Sequence, residues 1–373
     1  MDYRRQAALS LAWFLDSLGR PVRLPPPGLG PSEMWRLSNR ALSELLKLRP
    51  GERERLTSFR RGFSAAAAGA ELRRHRVIFI ARGEELYPLR LACTPDPPVG
   101  IFAHCLPLRR DRLAVWLQKP RVAIVGARAA SQYGTDAATM IAAGLGESGV
   151  CVVSGMAMGI DAAAHRGALE TAGGSMAVLG GGVDVVYPAV NRPLYRLLAE
   201  NGAVLSEYPP ASRPRPWRFP ARNRIIAGIS RAVVVVEARE RSGSLITADF
   251  CLEQGGEVCA VPGSIFSELS AGPNRLIQEG AMAVTTAVDL LQALGLEAWG
   301  NSVAAERTES SPATGLPREE EKVYMVLGGS PRQPDTLAAR TGLSSRQVAA
   351  SLIALEIKGL ARHEPGRGFS RLK

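Results

Sequence analysis

The sequence predicts an α/β fold: an extended Rossmann-like, doubly wound parallel sheet, with a small helical domain before it and a winged-helix domain after it. Three observations predict it. Short, continuously apolar runs recur at Val122 to Val125, Cys151 to Val153, Ser175 to Leu179, Ala203 to Ser206, Ala232 to Val236, Glu257 to Val261 and Ala281 to Val284. Helix-period stretches separate them, and apolar runs without alternation belong to parallel strands covered on both faces. The first three runs end in small residues, Gly126-Ala127-Arg128, Ser154-Gly155 and Gly180-Gly181-Gly182, at the sheet edge where such folds open their ligand crevice.

Taken in order, residues 1–75 read as the small helical domain, with helices from Gln6 to Leu18, Glu33 to Leu48 and Arg53 to Phe63. Strands at 77–80 and 99–103 precede the main sheet and extend its edge. Residues 76–296 form the Rossmann-like domain, with helices at 161–171, 192–200, 221–229, 244–254 and 274–279 between the strands. Residues 297–316 lack periodicity and are rich in Ser, Ala and Thr, the composition of a linker. Residues 317–373 hold helices at 318–327, 334–341 and 344–358, with Ser344 as N-cap, and a hairpin with Pro-Gly at its tip. Three helices and a wing make a winged helix, a module that reads DNA grooves or docks proteins.

Composition narrows the function. Apolar residues are 46% and charged residues 22% of the 373, ordinary for a globular chain. No apolar run reaches bilayer length and the first residues lack a signal-peptide pattern, so a cytoplasmic address and no membrane partner are expected. The five cysteines lack CxxC spacing and read as buried thiols. A net charge of +11, carried overwhelmingly by Arg, points to a polyanionic partner.

The turns after the strands are candidate anion sites. Arg128 stands in the first turn, where GxGxxG is absent, as a forked phosphate binder above a helix N-terminus with free backbone amides. Ser154 to Asp161 offers a hydroxyl, amides and glycines; Gly180-Gly181-Gly182 would let a ligand approach closely. Ser242-Gly243-Ser244 with Thr247 opens a further helix. The segment 208–236 holds Arg213, Arg215, Arg218, Arg222, Arg224 and Arg231 without an acid, interleaved with Tyr208, Trp217 and Phe219. Cations for phosphates with rings for bases suit a single-stranded nucleic acid. The four histidines have no metal spacing, His165 reads as structural, and neither a Ser elbow, a Walker lysine nor a carboxylate pair is present. A binding protein without catalytic residue, metal or cofactor is expected.

These residues resemble the DNA processing protein A family (DprA, also called Smf). The resemblance is carried by VAIVGAR (122–128), VVSGMAMGIDAAAHRGAL (152–169), AVLGGGVDVVYPAVNRPLY (177–195), GAVLSEYPP (202–210), FPARNRIIAGIS (219–230), VVVEARERSGSLITA (234–248) and VPGSIFSELSAGPNRLIQEGA (261–281). It implies a homodimeric protein that binds single-stranded DNA and loads the RecA recombinase in natural transformation. It also implies phosphate contacts at Arg128 and the Ser154-Gly155 turn, Arg192 in place of the family's lysine, Tyr195 as a base-stacking ring, and strand contacts from Arg222 and Arg224. The complete set of candidate contacts is Gly126, Arg128, Ser154, Gly155, Arg192, Tyr195, Arg222, Asn223, Arg224, Ser242, Ser244 and Thr247. Two departures stand out: IFAHCLP replaces the family's glycine-ended strand, and the amino-terminal helices lack clear helix-hairpin-helix glycines. Two rivals remain: a phosphoribohydrolase-like nucleotide enzyme, for which Glu253 is off pattern, and a duplex-binding regulator acting through the winged helix.

Overall fold

A computed structural model describes residues 2–24, 28–105, 110–296, 316–327, 331–364 and 368–371. The first helices are set by their caps. Helix α1 (Tyr3–Ser17) is followed by α2 (Pro31–Arg36), with Pro31 at N1, and by α3 (Asn39–Leu45). The single helix expected from Glu33 to Leu48 is therefore two. Ser38 turns its side chain onto the Ala41 amide and starts a new helix there. Helix α4 (Pro50–Gly62) again starts on proline, and α5 (Ala65–Arg74), unforeseen, is capped by Ser64. Leu9, Phe14, Leu42, Leu56 and Leu72 of these helices share one core with Phe79, Phe102, Leu198 and Val204.

The rest of this unit alternates β1 (Val77–Ala81), α6 (Leu89–Ala92), β2 (Gly100–His104), α7 (Arg110–Gln118), β3 (Arg121–Val125), α8 (Gln132–Glu147), β4 (Cys151–Ser154), α9 (Ile160–Leu169) and β5 (Ser175–Leu179). It continues with α10 (Arg192–Asn201), β6 (Ala203–Ser206), α11 (Arg218–Ile229), β7 (Ala232–Val235), α12 (Gly243–Glu253), β8 (Glu257–Ala260), α13 (Ala271–Gln278), β9 (Met282–Ala283) and α14 (Ala287–Ala293). The nine strands form one sheet in the order β1-β2-β6-β5-β4-β3-β7-β8-β9. From β6 to β9 every pairing is parallel; β1 and β2 join antiparallel at one edge, the position expected for them. Val122, Val152 and Val234 face one core layer and Ala123, Val153 and Val233 the other, which is why these runs do not alternate. Unforeseen α14 is fixed by a capping box of Thr286 and Asp289. Cys93 is exposed, whereas the other four cysteines are buried.

The strand order reverses between β3 and β7. Strands β4, β5 and β6 build outward on one side of β3, and β7, β8 and β9 on the other, so the loops leaving β3 and β7 diverge. A crevice must open there.

A second compact unit follows. Its helices, Arg318–Val326, Pro334–Thr341 and Ser345–Ile357, close over Val323, Leu337, Val348, Leu352 and Leu355. Ser344 caps the third as expected, accepting from the Gln347 amide at 3.4 Å. Strands Ala361–Glu364 and Gly368–Arg371 pair antiparallel as the wing. The hairpin tip and nearly all of the expected linker lie outside the described residues. Among the described residues no helix is long and apolar enough to cross a membrane.

Candidate functional site

The crevice at the switch point encloses about 760 Å³. The loop after β3 contributes Gly126 and Arg128; the loop after β7 and the start of α12 contribute Arg239, Arg241, Ser242, Ser244 and Thr247. Arg222 and Asn223 reach it from α11, and Tyr187 and Phe219 form an aromatic wall with ring centroids 5.3 Å apart. The Arg128 guanidinium lies over the Phe219 ring at 5.5 Å. Arg128, Arg239 and Arg241 are exposed. Arg239 meets only the exposed Glu268 among the described residues, at 3.3 Å. Sequence reasoning found Arg128 but missed Arg239 and Arg241. These sit in the acid-containing run EARERSGS, so composition did not single them out.

Two expected anion cradles are already filled by the chain's own carboxylates. At the start of α8, Glu237 accepts from the Ser131 amide at 2.9 Å and from its hydroxyl, and Ser131 Oγ accepts from the Gly134 amide. The amides expected to be free beneath Arg128 are therefore engaged. In the second turn, Asp161 Oδ2 accepts from the Gly155 and Ala157 amides at 3.1 and 3.3 Å. Burial lifts the Asp161 carboxyl above its usual range, opposed by the neighbouring Arg222 guanidinium and these amides. The Gly180-Gly181-Gly182 turn faces Phe219, Pro214 and Pro209 of this chain rather than the crevice.

Of the other candidates, Ser154 is fully buried and donates to the Ile124 carbonyl at 2.6 Å, so its hydroxyl is not presented to a ligand. Gly155 lies under the crevice floor, where a Cβ would strike the Arg222 guanidinium. Arg222 itself is buried and donates to the carbonyls of Gly155, at 2.7 Å, and Val178. Burial pulls its pKa down to about 10. Arg224 is held between Asp96 at 3.2 Å and Glu207 at 2.6 Å, beside a separate cavity. Tyr195 is buried in the helical core and donates to the Val183 carbonyl at 2.6 Å, with His104 Nδ1 at 2.8 Å. The exposed ring near this turn is Tyr187, not Tyr195. Arg192 is exposed at the start of α10 but outside the crevice lining. Its neighbour Asn191 ties that turn to the Met156 and Ala157 carbonyls. His165 is structural: its Nε2 accepts from the Met156 amide, its Nδ1 lies 2.7 Å from Ser175 Oγ, and burial lowers its pKa to about 3.

Fold and site together define an extended Rossmann-like protein with a cationic switch-point crevice and a separate winged helix. Residues 78–295 match the family model of DNA recombination-mediator protein A, and residues 307–367 match that of the DprA winged helix domain. The chain belongs to this family. Among its relatives, Protein Smf of Escherichia coli is 37% identical over 325 residues, 86% of this chain and 84% of that one. The X-ray structure of DNA processing protein A from Streptococcus pneumoniae superposes with a TM-score of 0.60 at 37% identity, covering 69% of this chain and 87% of that one. A Helicobacter pylori DNA processing protein A structure, described for its single-stranded DNA binding mode, gives a TM-score of 0.51 at 25% identity, over 59% and 95%.

Proposed function

We propose that the crevice binds single-stranded DNA. The observation that carries this reading is the pairing of exposed Arg128, Arg239 and Arg241 with the Tyr187–Phe219 wall at one switch point. Phosphates lie against the guanidinium groups and the Ser242–Ser244 turn, and bases stack on the rings without sequence preference. The single-stranded DNA binding mode for which the Helicobacter pylori relative is described supports the same ligand. The protein is a binder rather than an enzyme. Asp161, the carboxylate in the crevice lining, is engaged by two amides, and Glu253, weighed for a hydrolase, lines the other cavity. A homodimer places two crevices on one strand and raises avidity, and the bound strand is handed to the RecA recombinase. The protein thus acts in DNA recombination and natural transformation, in the cytoplasm.

Arg128→Ala tests the crevice. Affinity for oligonucleotides of any sequence falls, and the slope of log K against log salt shrinks by about 0.7. Unchanged affinity and slope in a filter-binding titration overturn the reading. A gel shift favouring duplex over single strands would instead support the winged helix as the DNA-binding part.

A further inference from the structure

We propose that a strand held in the crevice continues over the loop 211–217 onto the amino-terminal helices, whose loops form a second cationic stretch for its phosphates. This rests on the reading of the crevice given above and extends it to a surface outside the sheet.

Charge distribution is the first ground. Residues 1–76 hold 15 of the 46 Lys and Arg residues and 7 of the 35 acidic ones, so they carry 8 of the 11 net positive charges. Geometry is the second. Loop 17–23, loop 46–50 and the first turns of α4 are stitched into one surface. Arg20 Nη2 donates to the Lys47 carbonyl at 3.4 Å, Arg53 Nε to Leu48 at 3.2 Å, and Arg55 Nη1 to Ser17 at 2.7 Å. Around these loops Arg23, Lys47, Arg49, Arg53 and Arg55 are exposed and make no ion pair with a described residue. Glu52, which also feels the Arg49 charge, is taken by Arg20 at 2.6 Å; exposed Glu54 opposes the patch without cancelling it.

Continuity is the third ground. Arg215 Nη1 donates to the Gly19 carbonyl at 2.7 Å, Ser212 Oγ to Asp16 at 2.8 Å, and Arg218 pairs with Asp16 at 2.6 Å. The next residues of the same segment, Pro216 and Phe219, line the crevice. One short segment therefore touches the cationic helices at Ser212 and Arg215 and the crevice at Pro216 and Phe219, and Arg213 is exposed within it. The patch carries cations without exposed rings. It grips backbone phosphates and reads no bases, which suits the continuation of a strand whose bases are sorted elsewhere.

The test uses the full chain and two oligothymidylates, of about 6 and about 30 residues, the shorter matched to a single crevice. The triple variant Arg23→Gln, Lys47→Gln, Arg49→Gln removes three exposed charges. It binds the short strand as the parent does. It binds the long strand about tenfold more weakly, with a salt slope smaller by roughly 2. A long-strand affinity and slope equal to the parent's overturn the track, as does an equal loss on both lengths. Arg128→Ala is run alongside: loss on both lengths keeps the crevice reading whatever the triple variant does, and no loss on either defeats the crevice reading itself.

Discussion

The arginines of α11, of which Arg222 lines the crevice and Arg224 the neighbouring cavity, and those of the loops after β3 and β7 do opposite things. Arg218, Arg222 and Arg224 are at most 12% exposed at the side chain or residue level, and each is claimed by carbonyls or carboxylates of the chain. Arg128, Arg239 and Arg241 stand in solvent, Arg128 over the Phe219 ring and Arg239 beside the exposed Glu268. A guanidinium has five donors in a rigid fork, so it can bridge chain segments as readily as it can grip a phosphate. The difference teaches that an arginine-rich motif marks the neighbourhood of a site. Burial decides which of its members are left free to meet a ligand.

The largest effect separates the two sets by stability. Arg224→Ala leaves Asp96 and Glu207 facing each other in a half-buried space and costs about 3 kcal/mol or more. Burial acts to strip the Arg224 charge, but these two acids outweigh it and hold the guanidinium more tightly than usual. Arg128→Ala, on the rim, changes stability by no more than about 0.5 kcal/mol. Urea unfolding of both variants checks this. A stable Arg224→Ala protein with lost oligonucleotide affinity would reverse the assignment of the two sets.

A second effect lies under the floor. Buried His165 has a folded pKa near 3, below the usual value near 6.5. Between those pH values the unfolded chain binds a proton that the folded chain does not. Stability conferred by neutral His165 is therefore complete above pH 6.5 and falls by about 1.4 kcal/mol per unit as pH drops toward 3. His165→Gln flattens that slope, measured as unfolding midpoints at a series of pH values. Arg128 is not among the charges that act on His165, so Arg128→Ala leaves the slope as it is. An unaltered slope in His165→Gln would mean that another group carries the acid sensitivity.

Most of the sheet was legible because parallel strands buried on both faces are continuous apolar runs; Ser175–Leu179 and Ala203–Ser206 were read to the residue. The helices of 31–45 were harder, since Ser38 fits a helix by period and breaks it by capping. Within the site, glycine-rich turns signalled anion sites, and anions are there. They are Glu237 and Asp161, 106 positions from Ser131 in the first case and one turn onward in the second. Nothing local distinguishes a cradle for a ligand from one filled by the chain. Tyr195 misled for a related reason: a tyrosine on the inner face of an amphipathic helix and one on its rim share the same spacing logic.

The smallest effect sharpens that last distinction with two rings. Tyr195→Phe deletes a hydroxyl that donates to Val183 and leaves that buried carbonyl short of a partner, a loss of about 1 kcal/mol of stability. Oligonucleotide affinity stays unchanged, because the ring packs against the helical core. Phe219→Ala removes a ring from the crevice wall, between Tyr187 and Arg128, and weakens binding by about 1–3 kcal/mol for the base that stacks there. Paired titrations and melts decide it: binding loss should follow Phe219 and stability loss Tyr195. If Tyr195→Phe instead lowers affinity at constant stability, α10 must move to expose its ring, and the boundary between floor and rim shifts by one helix.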